Sequence, residues 1–213
     1  MGGTRLAAVT NGFFLAFEGG DGAGKSTQVA LLAAALAKRG YAVLTTRQPG
    51  GTPLGQALRD LVLHGDAMAA RAEALIFAAD KAQHAEAVIR PALDAGSVVI
   101  SDRYTDSAVA YQGAGRDLGA LEVHALQMWA VDNLVPELTV IIDISAHDGR
   151  QRRGAVHDRL ESEADGYHDA VRSHFLSLAG EAPERYLVLD GTQDPRVIHR
   201  QVMARLADMG LVT

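Results

Sequence analysis

Phe13-Phe14-Leu15-Ala16-Phe17-Glu18-Gly19-Gly20-Asp21-Gly22-Ala23-Gly24-Lys25-Ser26-Thr27 decides the fold. From Gly19 to Ser26 it fits G-x-x-x-x-G-K-[ST], the phosphate-binding P-loop. The run before it, Phe13–Phe17, is short and apolar and reads as a buried strand. The run after it, Thr27 to Arg39, is rich in Ala and Leu and reads as a helix. Strand, glycine loop and helix is the setting in which this pattern becomes a site. The glycines let the backbone curl until several N–H groups face one phosphate oxyanion. The helix N-terminus adds its partial positive charge. Gly20, Asp21, Gly22, Ala23, Gly24, Lys25, Ser26 and Thr27 are thus the candidate cradle for a nucleoside triphosphate. Lys25 is expected to reach the β- and γ-phosphates, and the Ser26 hydroxyl to ligate Mg²⁺.

Outward from the loop, short apolar runs alternate with longer helical stretches. Phe13–Phe17, Ala42–Thr46, Val98–Ser101, Leu138–Ile142 and Tyr186–Leu189 read as strands. Lys25–Arg39, Leu54–Leu63, Arg71–Ala95, Leu118–Asp132, Glu163–Ala179 and Pro195–Met209 read as helices, with Pro91 expected to kink or break the third. The alternation predicts an α/β fold with a five-stranded parallel sheet flanked by helices. Ligands of such sheets sit at the carboxyl ends of the strands.

Three features fall at those ends. Val98-Val99-Ile100-Ser101 ends in Asp102, an acid placed to hold Mg²⁺ beside a P-loop, and Arg103 follows it. After the second strand comes Thr45-Thr46-Arg47-Gln48-Pro49-Gly50-Gly51-Thr52, with another arginine at a strand end and then a sharp turn. Two arginines flanking one cradle suit a second phosphate, gripped by their planar forks. After the fourth strand, Arg150, Arg152, Arg153 and Arg159 crowd together, with Asp158 among them. They suit a lid that brings cations onto a transferring phosphoryl group once the site closes. Together these features describe phosphoryl transfer between two phosphates. A phosphate monoester, with its second pKa near ~6, is already nucleophilic at neutral pH and needs no general base.

The composition of the 213 residues is that of an ordinary globular chain, 48% hydrophobic and 22% charged. The absence of cysteine excludes disulfides and thiol chemistry. A net charge of −6 argues against a broad nucleic-acid surface, though not against a local nucleotide pocket. No apolar run is long enough to span a bilayer, and Met1–Gly12 carries no signal-peptide h-region, so a cytoplasmic location is expected. Lysine occurs only at Lys25, Lys38 and Lys81; the other fixed cations are arginines.

Over roughly Phe13 to Leu211 the chain resembles the bacterial thymidylate kinases, P-loop nucleoside monophosphate kinases. The matching blocks are Phe17 to Thr27, Thr46 to Thr52, Leu75-Ile76-Phe77-Ala78-Ala79-Asp80-Lys81-Ala82-Gln83-His84, Ser101 to Tyr104, Ala110-Tyr111-Gln112-Gly113, and Arg153-Gly154 with Asp158-Arg159. The resemblance implies transfer of the γ-phosphoryl of ATP to dTMP, with Mg²⁺. It implies that Arg47 and Arg103 hold the dTMP phosphate and that Phe77 stacks on thymine. Asp21 would approach the acceptor sugar or metal region. Tyr111 would press on the sugar and reject a 2′-hydroxyl, and Gln112 would lie near the base. Gln193, after the fifth strand, would lie near adenine. The family places its catalytic arginine either in the P-loop or in the lid. Gly22 fills the P-loop place here, so the chain resembles the lid-arginine type, with Arg153 and then Arg159 as candidates beside Lys25 and Arg103. The resemblance also implies a homodimer. The chain is expected to divide into a poorly ordered tail, 1–12, and a single kinase domain, 13–213, with a lid over about 147–162.

Two positions depart from the family pattern. Gln48 stands where glutamate is usual, and Lys81 where an arginine bonds the thymine carbonyl. Lysine offers one charged donor on a flexible stem and cannot make the bidentate fork. Both departures bear on base selection and leave phosphoryl transfer alone. The rival readings are a kinase for another nucleoside monophosphate and a nucleotide-dependent regulatory module. The second lacks an N-K-x-D guanine motif and gives Arg47 and Arg103 no task.

Overall fold

The computed structural model describes residues 12–152 and 159–212. Five parallel strands form one sheet: β1 (Phe13–Glu18), β2 (Val43–Arg47), β3 (Val98–Asp102), β4 (Leu138–Asp143) and β5 (Tyr186–Asp190), in the order β2-β3-β1-β4-β5. β1 is central and buried at every position, as a strand covered on both faces must be. Its alternation builds two cores. Phe13, Leu15 and Phe17 face one cluster with Leu32, Leu36, Val202 and Leu206. Phe14 and Ala16 face the other with Ile89, Val99 and Tyr104. The first cluster seats α1 (Lys25–Lys38) and α9 (Pro195–Asp208) on one face. The register brings Asp102 opposite both Phe17 and Arg47, so three strand ends meet in one row.

The other helices are α2 (Pro53–His64), α3 (Ala70–His84), α4 (Arg90–Asp94), α5 (Thr105–Ala108), α6 (Ala120–Ala130), α7 (Ala146–Arg152) and α8 (Asp165–Glu181). The long helix expected over Arg71–Ala95 is continuous in outline but changes register. A π-helical stretch, Ala85–Ile89, joins α3 to α4, and Pro91 lies in the first turn of α4, where its missing N–H costs least. Two elements had no sequence signal: α7, and α5 with the π-helical stretch Val109–Gly115 that follows it. Val-Ala-Tyr-Gln-Gly-Ala-Gly is a poor helix former on propensity. Tertiary contacts organise it: the buried Glu18 carboxylate accepts from the backbone N–H groups of Tyr104 (2.7 Å) and Ser107 (3.1 Å), holding the start of α5. The expected tail lies, up to residue 11, outside the described residues, as does the lid segment 153–158 with Arg153.

Candidate active site

The glycine loop between β1 and α1 turns through left-handed backbone at Gly19, Gly22 and Gly24. A Cβ on Gly19 would lie 2.4 Å from the Ile142 carbonyl oxygen, so β4 closes over the loop and only glycine fits. Lys25 is buried, and its Nζ donates to the carbonyls of Gly19 (3.1 Å) and Gly20 (2.7 Å). Burial, followed by the Arg103 charge, pulls its pKa down to about 8 against the attraction of Asp21, Asp102 and Glu18. The Ser26 hydroxyl donates to Asp102 Oδ2 at 2.5 Å. Both line a cavity of about 370 Å³ with Gly22, Gly24, Thr27, Arg47, Arg59, Arg103 and Arg152.

A second cavity of about 470 Å³ continues from the cradle along Ala23, Thr27, Gln28 and Gly191–Pro195, and Gln193 lines it. Arg152, at the end of α7, borders both spaces and donates from Nη1 to the Gly191 carbonyl at 2.8 Å. Arg159 does not line these cavities. Its Nε donates to the Val62 carbonyl (2.9 Å) and its Nη2 to Glu73 Oε2 (2.6 Å). A guanidinium held by a buried carboxylate serves to anchor the chain, and among the described lid arginines Arg152 is the one at the phosphate cavity.

The third space, of about 140 Å³, opens on the other side of Asp21 and Arg103. Phe77, Lys81, Tyr104, Tyr111, Gln112 and Leu160 help form its wall. Phe77 packs with Val62, Leu63 and Leu160, which closes the pocket floor. Tyr111 and Gln112 both lie in the Val109–Gly115 stretch, whose wider π turns direct consecutive side chains inward. Arg103 is held from three sides. Its guanidinium donates to Asp21 and Tyr111 Oη from Nη2, and from Nη1 to the Gly19 carbonyl (3.0 Å) and Ser107 Oγ (3.1 Å). Its backbone is left-handed, φ 69°, with the N–H donating to the Phe17 carbonyl. Burial opposes its charge, but Tyr111, Asp21, Glu18 and Asp102 together outweigh that and raise its pKa well above the ordinary value. Behind it, Ser107 Oγ donates to Glu18 Oε2 at 2.5 Å. Burial, with Asp106 adding repulsion, raises Glu18 to about 7.

Lys81 is buried in this pocket, with Nζ 5.3 Å from the Phe77 ring centroid and only a long bond, 3.5 Å, to the Phe77 carbonyl. Burial lowers its pKa to about 8. Gln48 reaches the same pocket and bonds His84 Nδ1 (2.8 Å), while Thr46 Oγ1 bonds His84 Nε2 (2.6 Å). Burial, then Lys81, takes His84 down to about 4, so the ring is neutral. Arg47 borders the phosphate cavity and donates to Gln56 Oε1 at 3.4 Å. Glu18, Arg59 and Ser107, which carried no expectation from the sequence, line these cavities or brace Arg103.

Among the described residues no cluster of three or more His, Cys, Asp or Glu side chains is built to cage a metal. The hydroxyl–carboxylate pair Ser26–Asp102, at the mouth of the phosphate cavity, nonetheless fits Mg²⁺, which takes one or two protein oxygens and draws the rest from water and phosphate.

The sequence profile of the thymidylate kinase family matches residues 17–202. The chain is 50% identical over 198 residues to a thymidylate kinase of Clavibacter sepedonicus, covering 91% of this chain and 94% of the relative. It is 45% identical over 204 residues to one of Bifidobacterium longum, covering 93% and 99%. In structure it resembles a crystal structure of thymidylate kinase from Ehrlichia chaffeensis, with a TM-score of 0.77 and 32% identity over 92% of this chain and 99% of that one.

Proposed function

The chain belongs to the thymidylate kinase family, and on that premise we propose that it transfers the γ-phosphoryl of ATP to dTMP, giving dTDP and ADP. The observation that carries this reading is the shared wall of two pockets: Asp21, Gln48, Arg59 and Arg103 line both the phosphate cavity and the pocket that holds Phe77. A hydrolytic switch needs one nucleotide site. Two sites joined at a buried arginine suit in-line transfer between two phosphates.

The P-loop N–H groups and Lys25 hold the donor phosphates, with the adenine end along Gly191–Pro195 near Gln193. Ser26 and Asp102 would hold Mg²⁺, which would supply cancellation of charge on the donor phosphates. Arg103 and Arg47 grip the acceptor phosphate, and Phe77 stacks on the thymine. Tyr111, fixed by its bonds to Asp21 and Arg103, stands beside the sugar. Arg152, at the end of α7, faces the phosphate cavity as the described lid cation, and Arg153, outside the described residues, is a further candidate. No general base is required; the protein positions, neutralises charge and excludes water.

We also place the enzyme in the cytoplasm as a homodimer. No helix among the described residues is long and apolar enough to cross a membrane. α3 and α6 pack together and expose Leu75, Leu121 and Trp129, an apolar face suited to a second copy. Sedimentation should give twice the chain mass; a monomer at micromolar concentration overturns the dimer.

The decisive assay couples ADP release to a panel of monophosphates with ATP and Mg²⁺. dTMP should lead, dUMP should follow because it lacks only the methyl contact, and dCMP should be poor. Equal use of dCMP and dTMP leaves a general monophosphate kinase. ATP hydrolysis indifferent to every acceptor overturns phosphoryl transfer itself.

A further inference from the structure

Glu73 lies on α3, one turn before Phe77, and is fully buried. Its carboxylate accepts from Gln112 Nε2 (2.9 Å), from Arg159 Nη2 (2.6 Å) and, at 3.4 Å, from Arg116 Nε and Nη2. Burial pushes its carboxyl upward, but these partners outweigh that and hold it below the usual carboxylate range. Ionised, it can only accept hydrogen bonds. That settles the orientation of the Gln112 amide: Nε2 must face Glu73, because the opposite rotamer sets a carbonyl against a carboxylate. Gln112 Oε1 is thereby turned away from Glu73, on a side chain that lines the acceptor pocket, and it takes no hydrogen bond from a described residue.

Among the polar groups that line the pocket, Gln112 Oε1 is thus presented as an acceptor and Lys81 Nζ as a donor. Thymine and uracil carry an N3–H donor beside the O4 acceptor and match this pair. Cytosine reverses both, with a bare N3 beside an amino group. We propose that Glu73 is a positioning residue for substrate specificity: by locking the Gln112 amide, it makes the pocket accept a pyrimidine with an N3–H and refuse one without. The inference rests on the acceptor reading above and extends it to a side chain that is directed away from the base.

The test measures kcat/KM for dTMP and dCMP in wild type, Glu73→Gln, Gln112→Met and the double variant. Glu73→Gln keeps the shape but can donate, so the Gln112 amide is free to turn over. The dTMP:dCMP ratio should fall at least about tenfold, through dTMP KM more than kcat. Glu73→Asp, which still only accepts, should restore most of it. In the Gln112→Met background there is no amide to orient, and Glu73→Gln should then leave the ratio where Gln112→Met put it. A folded Glu73→Gln with the wild-type ratio overturns the proposal and leaves Glu73 as an anchor for Arg116 and Arg159. If Glu73→Gln does not fold, an unchanged ratio in Gln112→Met overturns it equally, and a lowered one supports it. Failure of wild type to use dTMP at all would count against the kinase reading, a separate outcome.

Discussion

Gly22 and Gly149 meet backbone to backbone. A Cβ on Gly22 would lie 2.2 Å from the Gly149 carbonyl oxygen, and a Cβ on Gly149 would lie 2.4 Å from the Asp21 carbonyl oxygen. α7 is therefore seated directly on the glycine loop, and neither partner has room for a methyl group. Gly149→Ala should cost about 1–3 kcal/mol of stability and lower kcat, because α7 would lift and carry Arg152 with it. Thermal unfolding and steady-state kinetics together check this; unchanged values for both would show that the two segments part freely. Gly22→Arg, which moves an arginine into the loop, should inactivate the enzyme. Gly22 also has φ 79°, which side-chain-bearing residues rarely adopt.

In the proposed mechanism Lys25 acts on phosphate charge. Its removal should reduce turnover by at least about 10²–10³-fold. Stability should hardly fall, since burying this ammonium is itself unfavourable, as its lowered pKa records. Lys25→Ala with near-normal turnover would remove Lys25 from the mechanism.

Arg152 and Arg159 are expected to divide by task. Arg152→Ala should lower kcat/KM for ATP strongly, because the side chain borders both cavities on the donor side. Arg159→Ala should instead cost about 1–3 kcal/mol of stability by depriving the buried Glu73 of its shortest partner, with a smaller kinetic effect. The reverse pattern, an ATP defect in Arg159→Ala alone, would return Arg159 to the transferring phosphoryl.

Lys81 should make the enzyme sensitive to alkali. Its pKa falls from 10.5 to about 8 on folding, so between those values the unfolded chain holds the proton that the native one has lost. Its contribution to stability is accordingly unfavourable below pH 8, by roughly 3–4 kcal/mol at ~1.4 kcal/mol per unit, and is relieved as pH rises toward 10.5. Lys81→Met should raise the melting temperature at pH 7 and lose that slope. In function the sign is opposite: dTMP KM should climb above about pH 8 as the charged donor disappears. Lys81→Arg, charged throughout, should keep KM flat. A flat wild-type profile would mean that bound nucleotide keeps Lys81 protonated or that Lys81 does not touch the base.

The sheet and the phosphate cradle were legible because their signals are local: an apolar run, a glycine pattern and an Ala-Leu helix in direct succession. Each predicted strand lies within a residue or so of its place. Glu73 was not legible as a site residue, since its partners Gln112, Arg116 and Arg159 lie far along the chain. One signal was available: Glu73, Phe77 and Lys81 are spaced by four and share one stripe of α3. A charged residue on the stripe that carries the buried aromatic must find partners indoors. Tyr111 and Gln112 were legible only through family resemblance, because the π turns that present them have no periodicity of their own.

The strand order has a kinetic consequence. Phe13 pairs with Val98 and Leu15 with Leu138, so the first strand of the chain becomes the middle of the sheet. During synthesis it must wait, unpaired on both edges, until β3 and then β4 have left the ribosome. Gly19, whose fit depends on Ile142, cannot take its final shape before that moment. Nucleotide affinity should therefore appear late and abruptly in a series of nascent chains of increasing length, and ATP can offer the growing chain no early protection. Closing such distant pairs is slow, which makes this exposed apolar strand the segment most in need of a chaperone.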